Sequence, residues 1–186
     1  MPSKPVQPTP VERLSSAFAV DIVGPAWLSS LGRRGSMKVE HAKHLDKQEQ
    51  RSLALWAADC AEHVLPFFEE KHPQDDRPRK AIEAARAWVR GEIACGAARA
   101  AAVAAHAAAR DADEGAARAA ARATGHAAGT AHMAGHARHA ATYAVTAATA
   151  ANSADAAAAT AAERDWQYRR LPEHLRPVAF PARNNN

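Results

Sequence analysis

Apolar residues recur at steps of three and four from position 53 onward. Leu53, Trp56, Ala57, Cys60, Val64 and Phe67 make one apolar face, which is the helical period rather than the strand period. A helix is therefore predicted over about 46–70. Pro66 removes a backbone donor, so a kink or restart is expected near Val64. The stretch 71–76 reads as a loop. Asp76 is placed to cap a second helix, with Arg77 and Pro78 in its first turn. In that helix Ile82, Ala85, Val89 and Ile93 would face the core, and Arg79 and Glu83 would pair on the outside. Gly91 and Gly96 then permit a bend.

Beyond residue 94 the pattern changes. More than half of residues 94–162 are alanine, and the large apolar side chains there are Val103, Met133, Tyr143 and Val145. Alanine gives up no side-chain entropy in a helix, so the segment reads as helix broken at 111–115 and at Asn152-Ser153. Gly125, Gly129 and Gly135 would weaken a long helix or let another backbone approach closely. A last helix is predicted over 154–170, supplied with bulk by Trp166, Tyr168 and Leu171 and ended by Pro172. The expected fold is all-α, a compact alanine-rich helical bundle over 46–175. A proline-rich extension, 1–45, precedes it, with Trp27 as its anchor, and an irregular tail, 176–186, follows.

Composition narrows the function classes. Alanine makes up about 27% of the 186 residues, and no alternating β-branched run is present, which excludes sandwich, barrel and Rossmann folds. At least 60% helix is expected. No apolar stretch reaches membrane-spanning length and no signal peptide is evident, so neither a membrane role nor export is expected. Two cysteines, Cys60 and Cys95, are too few for a disulfide framework and point to the cytoplasm. The net charge of +4 comes from 24 basic against 20 acidic residues. That mixture, without a basic block, weighs against nucleic acid as a partner. No phosphate-binding glycine loop, GxSxG elbow, zinc CxxC or HExxH occurs.

Three clusters could carry chemistry. His132, His136 and His139 would lie within about 60° of one face if their helix is continuous, a spacing suited to a divalent transition metal. The outer pair is separated by about 10 Å of axial rise, so His106 or a carboxylate from another helix would have to contribute. A bundle seam lined by polar groups needs no metal, and no cofactor is the default expectation. Asp59, Cys60 and His63 share one turn: Asp59 could orient the imidazole as a general base, and Cys60 could pair with it as a thiolate. The bland alternative makes Cys60 a small core residue. Arg118, Arg122 and His126 step by four along a face that could hold a carboxylate, a phosphate or a small-molecule ligand, although salt bridges are the commoner use of such arginines.

The strings Leu53-Ala54-Leu55-Trp56-Ala57-Ala58-Asp59-Cys60-Ala61-Glu62-His63-Val64-Leu65-Pro66-Phe67-Phe68-Glu69 and Asp76-Arg77-Pro78-Arg79-Lys80-Ala81-Ile82-Glu83-Ala84-Ala85-Arg86-Ala87-Trp88 resemble a bacterial family of immunity proteins, the immunity-protein-five-like group. Ala131 to His136 with Tyr143, and Trp166-Gln167 with Leu171-Pro172, resemble its later segments. The resemblance spans about 45–175. It implies a helical domain that neutralises a toxin from competition systems, and it brings no catalytic residues with it. Occlusion of a protein toxin is thus one expected function. A small helical enzyme, such as a biosynthetic tailoring catalyst with a histidine-lined cavity, is the alternative.

Overall fold

The computed structural model describes residues 45–180, of which 79% are helical. The proline-rich extension, Trp27 within it, and residues 181–186 lie outside the described residues. Six helices of 14 to 18 residues build the body: α1 (Lys47–Val64), α3 (Arg77–Arg90), α4 (Cys95–Asp111), α5 (Ala116–Gly129), α6 (His136–Ala151) and α7 (Ala156–Arg170). Two four-residue turns of helix, α2 (Pro66–Glu69) and α8 (Arg176–Ala179), complete it. No strand occurs among the described residues.

Local chemistry sets most of the boundaries. Asp46 and Glu49 form a reciprocal capping box at the start of α1, at 2.7 and 2.9 Å. Pro66 restarts the helix as α2, as expected from its missing donor. Gly91 closes α3 in the left-handed conformation, φ 78°. The cap of α3 differs from expectation. Asp75 rather than Asp76 receives the Arg77 N–H, at 3.1 Å, and the Asp76 carboxylate pairs with Lys80 instead. Arg79 likewise passes over Glu83 and reaches Glu69 across the loop, because the α2–α3 turn brings that carboxylate closer. The final helix begins at Ala156, after a 3-10 turn at Ser153–Asp155. Residues 173–180, expected in part to be irregular, fold back as helical turns: Leu175 and Ala179 are buried, and Phe180 meets Trp56 edge-on at 5.7 Å.

The core has two parts of different texture. Leu53, Trp56, Val64, Leu65, Phe67 and Phe68 from α1 and α2 join Ile82, Leu171 and Leu175 in an aliphatic and aromatic zone. Trp56 donates its indole N–H to the carbonyl of Gln167 at 2.9 Å, so its one polar atom is satisfied. The other zone is alanine. Helix α5 runs through the middle against α1, α2, α3, α4 and α6, and ten of its 14 residues are buried. Only small side chains allow so many axes to close on one helix. Its remaining residues are Ala116, Arg118, Arg122 and His126, so one i, i+4 stripe of polar groups escapes burial.

Candidate functional site

That stripe is the floor of the principal candidate site. The helix expected to carry His126 through His139 is interrupted at Thr130–Gly135. There Gln50 donates to the carbonyls of Thr130 and Ala131, and Cys95 donates to that of Ala131. These ties from α1 and α4 hold the turn. His132 therefore sits in the turn, His136 opens α6, and His139 follows one turn later. The three histidines do not share a straight helix face.

Reversal of the chain brings more imidazoles together than the spacing alone implied. His106 of α4 meets His126 of α5 edge-on, with ring centroids 4.8 Å apart. His126 lies 5.2 Å from His136, His139 and Tyr143, and it stacks on the Tyr143 ring at 10°. His132 is 4.8 Å from His136. The Nδ1 atoms of His126 and His136 are 3.0 Å apart, so one ring donates its Nδ1–H to the other.

Helix α5 makes room for this cluster. A Cβ at Gly125 would fall 2.7 Å from the His106 ring, and one at Gly129 would fall 3.1 Å from His136. These glycines seat imidazoles, not another backbone. Gly135 faces open space and has no such task.

The electrostatics of the cluster are one-sided. Burial, then Arg122, His136 and Arg110, hold His106 below its ordinary value. Burial, and the repulsion a charged ring would feel from His106, His136, His139 and Arg122, push His126 down to about 3. Burial, His132 and His139 lower His136. The lowering favours the neutral form of all three rings at pH 7. His106 Nδ1 is buried and has no hydrogen-bond partner. Among the described residues no group of three or more His, Cys, Asp or Glu is disposed to hold a metal ion. Arg118 does not join the cluster: it donates to the Ala112 carbonyl at the end of α4 and pairs with Glu114.

A second arrangement surrounds His63. Glu163 of α7, a fully buried carboxylate, accepts its Nδ1–H at 2.8 Å. Gln167 donates to the other Glu163 oxygen at 2.7 Å and to the Ala141 carbonyl at 3.0 Å. Trp166 stacks on the imidazole at 4.0 Å and 7°, and Arg170 lies over the indole at 4.3 Å. Asp59 and Glu62 grip Arg86 of α3. These groups border a shallow depression of about 190 Å³ lined by Asp59, Glu62, His63, Trp166 and Arg170. Cys60 is fully buried, and burial, with Glu163 and Asp59, pushes its thiol well above the ordinary value. It is a core thiol, not a thiolate partner for His63.

Glu163 and Gln167 are the polar residues that spacing could not have found. They lie about 100 positions from His63, and nothing in α7 marks them except their i, i+4 relation on the face that also carries Ala159.

A family model described as Imm-5 like putative immunity protein matches residues 43–174. That span takes in all six long helices. No curated protein and no solved structure matches the chain.

Proposed function

The chain belongs to the Imm-5 like family of immunity proteins, and from that membership we propose that it neutralises a protein toxin by occlusion, as a cytoplasmic partner that covers the toxin's working surface. The observation that carries this reading is the family match across the whole helical body. Occlusion needs a rigid, shaped surface and no chemistry of its own. The body supports it: ion pairs tie α1 to α3 through Arg86, α2 to α3 through Arg79, and α3 to the end of α4 through Arg77 and Asp111.

The test is growth rescue. The protein encoded by the adjacent reading frame is expressed with and without this chain, and complex formation is followed by size-exclusion chromatography. Rescue accompanied by a stoichiometric complex is expected. A toxic neighbour that forms the complex yet stays toxic would refute occlusion.

A second reading, acid–base catalysis, draws on the His63–Glu163 pair, because a buried carboxylate that fixes one imidazole tautomer is an arrangement enzymes use. Within this reading the depression beside Trp166 is where a substrate would sit. Substrate-directed activity abolished by His63→Gln, in protein that remains folded, would support it over occlusion.

A further inference from the structure

We propose that the histidine face of α4, α5 and α6 receives a carboxylate-bearing segment of the protein partner, with Arg122 as the fixed cation and the surrounding imidazoles as donors. The inference rests on the binding-protein reading and names the chemistry of the contact. Six arginines of the body, Arg77, Arg79, Arg86, Arg90, Arg118 and Arg169, each pair with a carboxylate, whereas Arg122 of this face sits among imidazoles. Helix α4 contributes His106 and Arg110, α5 contributes Arg122 and His126, the turn contributes His132, and α6 contributes His136, His139 and Tyr143. Among the described residues no carboxylate acts on His106, His126 or His136, and Arg122 has no ion-pair partner.

The face is also built rather than incidental. Gly125 in the interior of α5, less favourable there than alanine by about 1 kcal/mol, and Gly129 at its C-terminal end stand where imidazole rings need the space. Among the described residues the His106 Nδ1, packed against Gly125, has no hydrogen-bond partner. His132 and His139 are exposed, and Arg122, His126 and His136 are half-buried, so an extended acidic segment can reach them.

A carboxylate placed there would favour the imidazolium forms that burial and mutual repulsion now disfavour. Binding is therefore coupled to proton uptake, and each proton taken up tightens binding by up to about tenfold per pH unit. Arg122 supplies attraction at every pH.

The test titrates a capped hexaglutamate peptide into the full chain by calorimetry, at about pH 8 and about pH 6, in buffers of differing ionisation enthalpy. Binding about tenfold or more tighter at the lower pH, with net proton uptake, is expected. Arg122→Gln should abolish it. His136→Gln, at a half-buried site that opens α6, should reduce the proton uptake. Arg164→Gln on the exposed side of α7 should change nothing. The proposal is overturned by no binding to the folded chain, by binding indifferent to Arg122→Gln, or by binding that does not tighten as pH falls. Binding of inorganic phosphate or a duplex oligonucleotide in place of the peptide would also overturn it. Because the titration uses the chain alone, its failure removes the acidic contact without deciding toxin neutralisation, which the growth assay reads separately.

Discussion

Replacing Gly125 by alanine sets two known quantities against each other. In the interior of α5, alanine is favoured over glycine by about 1 kcal/mol, so on backbone grounds the substitution stabilises. The new Cβ, however, would stand 2.7 Å from both Cε1 and Nδ1 of His106 and 3.0 Å from its Cγ. The whole ring must move, and it is hemmed in by His126 at 4.8 Å. Overpacking of this kind costs about 1–3 kcal/mol, so Gly125→Ala should destabilise by roughly 1 kcal/mol net. With the ring removed the sign reverses: in a His106→Ala background the same substitution should stabilise by about 1 kcal/mol. The cycle therefore predicts a coupling near 2 kcal/mol, read from urea denaturation of the four proteins by tryptophan fluorescence. Gly125→Ala that stabilises the parent, or a cycle additive within about 0.5 kcal/mol, would refute the claim that this glycine exists to seat His106. Gly129→Ala is the contrasting control. Its Cβ would meet Cδ2, Cγ and Cβ of half-buried His136 at 3.1, 3.2 and 3.6 Å, looser contacts than at Gly125, so that variant is expected to lose less than Gly125→Ala.

Trp56→Ala removes a buried ring and strands the Gln167 carbonyl, and should cost about 3–5 kcal/mol in denaturant titration; a loss under about 1 kcal/mol would mean that Trp56 is not a core residue. Glu163→Ala leaves both His63 Nδ1 and a Gln167 donor bond unmet, so it should lose about 3 kcal/mol. Glu163→Gln, which keeps the shape, should lose less, and equal losses would count against the hydrogen-bond argument. Stability should also fall with acid. His106, His126 and His136 sit below their ordinary value of 6.5 in the fold, so the unfolded chain binds more protons, and folding weakens as pH drops below about 6.5 toward the lowered values. Denaturation midpoints measured between about pH 7.5 and about pH 5 should decline, and His126→Gln should flatten the slope; a flat profile in the parent contradicts the neutral cluster.

What local sequence governs was legible. The stripe from Leu53 to Phe67 is buried throughout, because a helix packed on one side must bury its periodic positions. The breaks at Pro66, near Gly115 and at Asn152-Ser153 appear where the chain chemistry put them. The errors involve residues with a choice of partner. Arg79 had Glu83 at i+4 and took Glu69, ten positions back, and Asp59, with His63 at i+4, pairs with Arg86 from a neighbouring helix. Exposed i, i+4 pairs are worth only a few tenths of a kcal/mol, so a bidentate partner from a neighbouring element displaces them readily. Helical period alone cannot rank such competitors.

The histidine face shows the same limit from the other side. Spacing marked His132, His136 and His139 as a group and Arg118, Arg122 and His126 as another, both read along one continuous helix. Alanine propensity favours continuation of that helix, and the local signals against it were Gly125, Gly129 and Gly135. The break at Thr130–Gly135 is set by distant groups, Gln50 and Cys95, whose side chains take up the turn's carbonyls. Once the chain reverses, α6 lies back along α5, so residues ten and thirteen positions apart come to share His126 as their neighbour. Two glycines spaced by four, each opposite a histidine rather than a backbone, are the local trace of that reversal. Mid-helix glycine in an alanine-rich segment is costly enough to need a reason, and the reason lies in what the neighbouring helices bring to it. The arrangement also separates Arg118 from Arg122 in role. Their i, i+4 relation is intact, yet one closes the end of α4 and the other is left among imidazoles without an acid. Among the described residues no acid answers the charge on this face, a property that suits a partner-binding surface.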